Sequence, residues 1–305
     1  MADSKAGSRA GEVVIARYAE DLDWVARIPA EFSVTIYNKG AKIASDAVLG
    51  RAERIVELAN GGRESDTFLR HILAKADFTD GHTVFLQGDP FAHSPDLIAL
   101  LAAWRSWRDL QPLSWGWLSS EKLPPEGVLL GETGGFIDGL RVRPETFSLC
   151  SWTALQFFDP GAKRICDDYQ RLHRLPNGVN VAADFLRRCE WTELAGQART
   201  HLAGRFSYGA LFAARQRLLA QAPRRSLELA LEAANAHSMY GYVLERLWLH
   251  MFGEAFLLPA PEAAEASPAS LPSRFVPPAG YGPRRPLHRR VLPGLKRRIV
   301  SWAQT

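Results

Sequence analysis

Short apolar runs alternate with amphipathic stretches through the first hundred residues. Residues 13–18 (VVIARY) are a short apolar run that suits a central strand. Leu22, Val25 and Ala26 give a brief helical pattern that Pro29 ends. Residues 32–37 (FSVTIY) alternate apolar with small polar side chains, and Asn38-Lys39-Gly40 turns the chain. After the break at Asn60-Gly61-Gly62, Phe68, Leu69, Ile72, Leu73 and Ala76 share one face at helical spacing. Residues 83–86 (TVFL) read as a buried strand running into the polar Gln87-Gly88-Asp89-Pro90. Ser94-Pro95 then predicts the start of a helix with Leu97, Ile98, Leu101 and Trp104 inside.

Strands that alternate with helices across short loops predict a three-layer α/β/α fold with a mostly parallel central sheet. Ligands of such sheets sit beyond the carboxyl ends of the strands. Those ends carry Arg17, Tyr18, Glu20 and Asp21, then Asn38 and Lys39, then Gln87 and Asp89. Residues 111–190, rich in Trp, Gly and Pro, predict irregular loops and edge strands, and a mostly helical pattern resumes over 211–252.

Composition narrows the class. At 47% hydrophobic and 23% charged, the chain reads as a soluble globular protein, expected in the cytoplasm. Residues 1–10 have no apolar core of a secretory signal, and the longest apolar run, 97–104, is far short of a bilayer span. Cys150, Cys166 and Cys189, odd in number and unevenly spaced, suit buried thiols better than a disulfide framework. Of the net charge of +4, the segment from Gly280 onward contributes seven basic residues and no acid, leaving −3 for the rest. That division argues against a nucleic-acid partner.

The expected organisation is an unordered segment over 1–10, one α/β domain over 11–258, and a Pro/Ala-rich linker with a basic tail over 259–305. Within the tail, Leu292, Leu295, Ile299 and Trp302 fall on one helical face with Lys296, Arg297 and Arg298 between them. Residues 291–303 therefore suit contact with an anionic membrane surface, with an unordered tail and a helix docked on the protein itself as the alternatives.

Neither a Gly-rich dinucleotide fingerprint, nor a P-loop, nor a Gly-x-Ser-x-Gly elbow is present. The blocks ARYAED, IYNKG, GGRESDTFLRHI and TVFLQGDPFAH, followed by SYGALFAARQRLL and YVLERLW, resemble in order the uncharacterised family called domain of unknown function 3431. More distantly the layout resembles the GT-A fold of nucleotide-sugar glycosyltransferases. That likeness implies sugar transfer from a nucleotide sugar to an unidentified acceptor, with surface polysaccharide assembly as a setting. It places Gln87-Gly88-Asp89 where the fold has an acidic Asp-x-Asp that holds Mn²⁺ or Mg²⁺ on the diphosphate.

By that likeness Asp89 is the metal ligand. Arg17, Tyr18, Glu20, Asp21, Lys39, Arg63, Gln87 and His93 line the donor site, and Glu245 is the general base. From the residues alone other readings stand. Asp89 caps a turn before Pro90, and His93 helps start the next helix. Arg17 and Arg63 pair with Glu20, Asp21 or Glu64, and Glu245 pairs with Arg246. Trp104, Trp107, Trp115 and Trp117 are either core or a sugar-stacking platform. His71 reads as structural. Gln87 in place of an acid leaves open a non-catalytic relative that binds a sugar, nucleotide or protein. A hydrolase using carboxylates at the same edge is a third reading.

Overall fold

The computed structural model describes residues 10–115, 136–137, 139–155 and 159–259. The chain opens with β1 (Gly11–Arg17) and a 3-10 turn over Asp23–Arg27, then β2 (Phe32–Asn38), α1 (Asp46–Arg51), β3 (Arg54–Glu57), α2 (Arg63–Ala74) and β4 (His82–Gln87). Helix α3 (Leu97–Ala102) and β5 (Leu110–Pro112) follow, then the short strands β6 (Phe136–Ile137), β7 (Leu140–Arg141) and β8 (Glu145–Ser148). Helices α4 (Pro160–Leu172), α5 (Val181–Arg188) and α6 (Thr192–Arg199) lead to β9 (His201–Phe206) and β10 (Phe212–Arg215). The described chain closes with α7 (Gln216–Gln221), α8 (Arg224–Ala236), α9 (Met239–Met251) and β11 (Leu257–Pro259).

Six strands form the main sheet in the order β3-β2-β1-β4-β10-β5. The first four are parallel, and β10 runs antiparallel to both β4 and β5. Successive side chains of a strand point to opposite faces. In β1, Val14 packs with Phe68, Phe85, Phe212 and Trp248 on one face. Val13 and Ile15 pack with Val34, Ile36, Val84, Leu97 and Leu101 on the other. Both faces are covered, which is why β1 is apolar without alternation. Glu12 and Arg17, towards the two ends of the strand, are its side chains that meet polar groups. A second, antiparallel sheet has the order β11-β9-β8, and β6 pairs with β7. Among the described residues no helix is long and apolar enough to cross a membrane.

Several local expectations need correction. Residues 211–252 are mostly helical as expected, but Phe212–Arg215 forms β10 and pairs with both β4 and β5. Ser94 does not cap a helix: its hydroxyl donates to the Leu113 carbonyl (2.6 Å), and α3 starts at Leu97. Residues 111–190 contain two regular helices, α4 and α5, each capped by a side chain the sequence displays. Asp159 accepts from the Ala162 N–H (3.0 Å) and Asn180 from the Ala183 N–H (2.9 Å). Ala10 is buried and bonded to Glu31 and His82, so ordered pairing begins one residue before the expected domain start. Pro259 likewise belongs to β11, past the expected end at 258. Residues 1–9 and the tail over 260–305, with its proposed membrane contact, lie outside the described residues, as do Trp117 and Asp138.

Candidate functional site

The chain leaves β1 for β2 and β3 on one side, and later adds β4 on the other. The order therefore reverses between β1 and β4, and ligands of such sheets bind beyond the carboxyl ends of the strands at that position. Arg17 and Gln87 end them.

At the β1 end, Arg17 is a structural clamp. Its guanidinium donates to the Glu20 carbonyl (3.1 Å), Asn38 Oδ1 (2.6 Å) and the Ala41 carbonyl (2.5 Å), tying the ends of β1 and β2 together. Glu20 turns its carboxylate onto the backbone N–H groups of Tyr18 (2.7 Å) and Ala19 (3.0 Å). Gly88 allows that turn to press on β4, since a Cβ there would lie 2.7 Å from Glu20 Oε2. Asp21 accepts from the Asp23 N–H (2.9 Å). The loop these bonds fix presents Tyr18, an aromatic ring 46% exposed just past the end of β1.

Lys39 follows the last residue of β2. Its ammonium donates to the carbonyls of Gly61 (2.6 Å) and Arg63 (2.5 Å) and pairs with Asp66 at 3.0 Å, which uses all three of its protons. Burial pushes the amine down and the Asp66 carboxylate opposes this. Lys39 thereby shapes the start of α2 rather than facing ligand.

The β4 end builds the second wall. Trp24 Nε1 donates to the Gly88 carbonyl (2.9 Å), and Asp89 beyond it is exposed and accepts no hydrogen bond among the described residues. His93 stacks on Tyr208, with centroids 5.7 Å apart at 15°. Burial holds its imidazole below the usual histidine range, against the pull of Asp89, so the ring is neutral at neutral pH. Gly209, at φ 63°, is the hinge of this wall: a Cβ on it would lie 2.9 Å from His93 Cδ2 and 3.2 Å from Gln87 Nε2. Its N–H donates to Glu245 Oε1 (2.8 Å). Gln87, His93 and Glu245, from β4, the loop after it and α9, thus meet around one glycine. Gly209→Ala is expected to destabilise the protein by about 1–2 kcal/mol, because a side chain in the left-handed region costs that much before the clash is counted. Chemical denaturation measures it, and an unchanged midpoint would mean that the loop has room to move.

Arg63 and Glu64 stand at the start of α2, beside the α9 face that carries Tyr242 and Glu245. Gly62 and Arg63 are both left-handed, at φ 59° and 53°, and this kink starts α2. A non-glycine residue held there stores strain that the surroundings must hold in place. Arg63 donates to the Tyr242 hydroxyl (2.9 Å) with its guanidinium carbon 4.2 Å from that ring. Gly241 leaves the space, since a Cβ on it would stand 2.7 Å from Arg63 Cδ. Burial works against the Arg63 charge, but Glu64, Tyr242 and Glu245 outweigh it and hold the guanidinium protonated. Glu64 Oε2 stands 3.6 Å from Arg63 Nε. Tyr242 and Glu245, three residues apart, occupy the same face of α9.

The pairing of Glu245 with Arg246 does not form. Arg246 donates to the Trp152 carbonyl (3.0 Å), pairs with Asp159 at 3.1 Å and lies over the Phe206 ring. One oxygen of Glu245 is held by Gly209 and the other accepts no hydrogen bond among the described residues. Trp107 is buried and Trp104 half-buried, and both rings pack on Phe32, at 6.0 and 6.5 Å. His71 bonds Tyr37 (3.2 Å), and its Nε2 stands 3.2 Å from Glu12 Oε1 near the start of β1.

Comparison with protein-family models, curated proteins and solved structures gives no match to this chain. The geometry must therefore stand alone. Glu64, Tyr208, Gly209 and Tyr242 are site residues that sequence reasoning did not assign. The signals were a glycine within the apolar run at 207–214 and the three-residue spacing of Tyr242 and Glu245. Among the described residues no three His, Cys, Asp or Glu side chains group as a metal site. A Mg²⁺ ion needs only one or two carboxylates when substrate phosphates and water supply its other oxygens, and the exposed Asp89 suits that arrangement.

Proposed function

We propose that this chain is a GT-A-like glycosyltransferase that moves a sugar from a nucleotide donor to an acceptor hydroxyl. The observation that carries this reading is the meeting of Glu245, Gln87 and His93 around Gly209, with Arg63 at the start of α2 bonded to Tyr242 on the same helix as Glu245. The site pairs a carboxylate fixed through one oxygen with an anion-receiving helix start.

In this reading the free oxygen of Glu245 takes the proton of the acceptor hydroxyl. The acceptor oxygen bonds to the anomeric carbon as the bond from that carbon to the diphosphate oxygen breaks. The electron pair leaves on the diphosphate, where Arg63 and the first turn of α2 meet the new charge. A divalent ion, when bound, would be held by Asp89 and would neutralise the same phosphates. Tyr18 offers an exposed ring for the base of the nucleotide.

Melting temperatures against a panel of nucleoside diphosphates and nucleotide sugars, each with and without Mn²⁺, test the reading. A rise with one nucleotide, requiring Mn²⁺ and lost in Asp89→Ala, is the expected result. In the same variant turnover is expected to vanish while the ligand-free melting temperature holds. Full turnover by Asp89→Ala would remove Asp89 from the mechanism. The second reading, a binding protein without turnover, draws on the neutral Gln87 packed on Gly209. Binding of a nucleotide with no Mn²⁺-dependent release of nucleoside diphosphate would favour it.

A further inference from the structure

We propose that the Tyr208 hydroxyl and the second carboxylate oxygen of Glu245 form a subsite for the hydroxyl groups of a neutral polyol. In the transferase reading above, on which its place in a reaction rests, this is the subsite of a sugar acceptor.

The first support is a polar atom without a partner. Tyr208 is 5% exposed, and its hydroxyl makes no hydrogen bond among the described residues. A buried hydroxyl left in that state destabilises the fold, so such groups are normally bonded. Trp152 and Trp248 also bury unbonded N–H groups, but their rings pack against Phe147 and against Phe212 and Phe252. The Tyr208 hydroxyl instead lies among charged groups. Glu145, Asp159, Glu245 and Arg246 all act on it, and none of them bonds it.

The fold also holds this side chain in place. The Tyr208 N–H donates to Ser114 Oγ (2.9 Å), and the next N–H, of Gly209, donates to Glu245 Oε1 (2.8 Å). One face of the ring stacks on His93, and the Phe206 ring packs at 4.6 Å and 64°. Two polar groups therefore stand ready in one region: a fixed, unbonded hydroxyl, and a carboxylate whose second oxygen accepts no hydrogen bond among the described residues.

Their chemistry selects the ligand class. Burial, then Glu145, Asp159 and Glu245, push the phenol up while Arg246 opposes them, so the hydroxyl keeps its proton at neutral pH. Arg143 neutralises Glu145 (2.8 Å) and Arg246 neutralises Asp159 (3.1 Å). A ligand must then accept from the phenol and donate to Glu245. A phosphate or carboxylate can accept but is repelled by Glu245, and an ammonium can donate but cannot accept. A hydroxyl does both, and a polyol can present one hydroxyl to Tyr208 and another to Glu245.

Two measurements on the full chain test this. Removing a hydroxyl that is unbonded in the free protein is expected to leave the ligand-free melting temperature of Tyr208→Phe unchanged or slightly raised. A fall of more than about 2 °C would show that the fold or a buried water already satisfies the hydroxyl, and would overturn the proposal. Saturation-transfer NMR and calorimetry with the methyl glycosides of glucose, galactose, mannose and N-acetylglucosamine read the subsite. At least one is expected to bind, and Tyr208→Phe and Glu245→Ala are each expected to weaken it by about tenfold or more. Binding of none of these glycosides, or undiminished binding by either folded variant, would overturn the subsite. If a glycoside binds as expected but no nucleotide sugar is turned over, the transferase reading fails and the hydroxyl subsite stands. Sugar transfer by Tyr208→Phe with the wild-type KM for a glycoside acceptor would overturn the subsite and leave the transferase.

Discussion

Glu245→Gln is expected to slow sugar transfer by roughly 10²- to 10⁴-fold, the range over which a positioned general base acts. The amide keeps the shape of the side chain, and its carbonyl oxygen can still accept the Gly209 N–H that now holds Oε1 at 2.8 Å. Folding and nucleotide binding should therefore survive, which separates loss of a base from loss of a site. The diagnostic is the pH profile of kcat: a limb rising with pH in the wild type should be absent from the variant. Unchanged kcat in Glu245→Gln would end its candidacy and leave the carboxylate as a structural brace for the loop at Gly209.

Acid is expected to weaken the fold in two overlapping stages. His250 is buried, donating Nδ1–H to the Glu254 carbonyl (2.8 Å) and accepting the Arg205 N–H at Nε2 (2.9 Å). Protonation would put a second donor against that N–H, and burial pushes the imidazole down to about 4. Since the folded state resists a proton that the unfolded chain takes near pH 6.5, stability falls as pH drops from there to about 4, by about 3 kcal/mol in all. Glu12 then follows. Burial would raise its carboxyl, but His71, Lys75 and Thr83 overcome this and hold it at about 2, so its contribution is lost from about pH 4.5 downward. Melting temperatures from pH 8 to 3 for wild type and His250→Gln check the first stage. The variant should lose less stability than wild type between pH 6.5 and about 4.5, and an equal slope in both proteins would assign the loss to other groups.

The strands that frame the site were legible because β1, β2 and β4 are buried on both faces and end abruptly in polar residues. The helix α2 was legible through Phe68, Leu69 and Ile72, which pack as their spacing requires. What periodicity could not reveal was direction and partner. Lys39 and Arg17 read equally as phosphate ligands or as clamps until their acceptors are known. Strand β10 is four residues long and runs directly into α7, so its apolar pattern merges with the helix behind it. The role of Gly209 depends on His93 and Gln87, both distant in sequence, and no local pattern announces such a meeting. Glu64 was visible only as a partner for Arg63, because burial is a property of the packed chain.

The placement of β10 has a consequence for how the protein is made. As the chain leaves the ribosome, β1 to β4 can assemble early, but β4 then has an unpaired edge and β5 has no partner at all. Both wait for Phe212–Arg215, and the carboxylate of Glu245 emerges later still. An exposed strand edge held open through so much synthesis is a hazard for association between nascent chains. The same delay means that no incomplete chain ending before α9 can possess Glu245, so any chemistry that carboxylate supports begins only once α9 has been made.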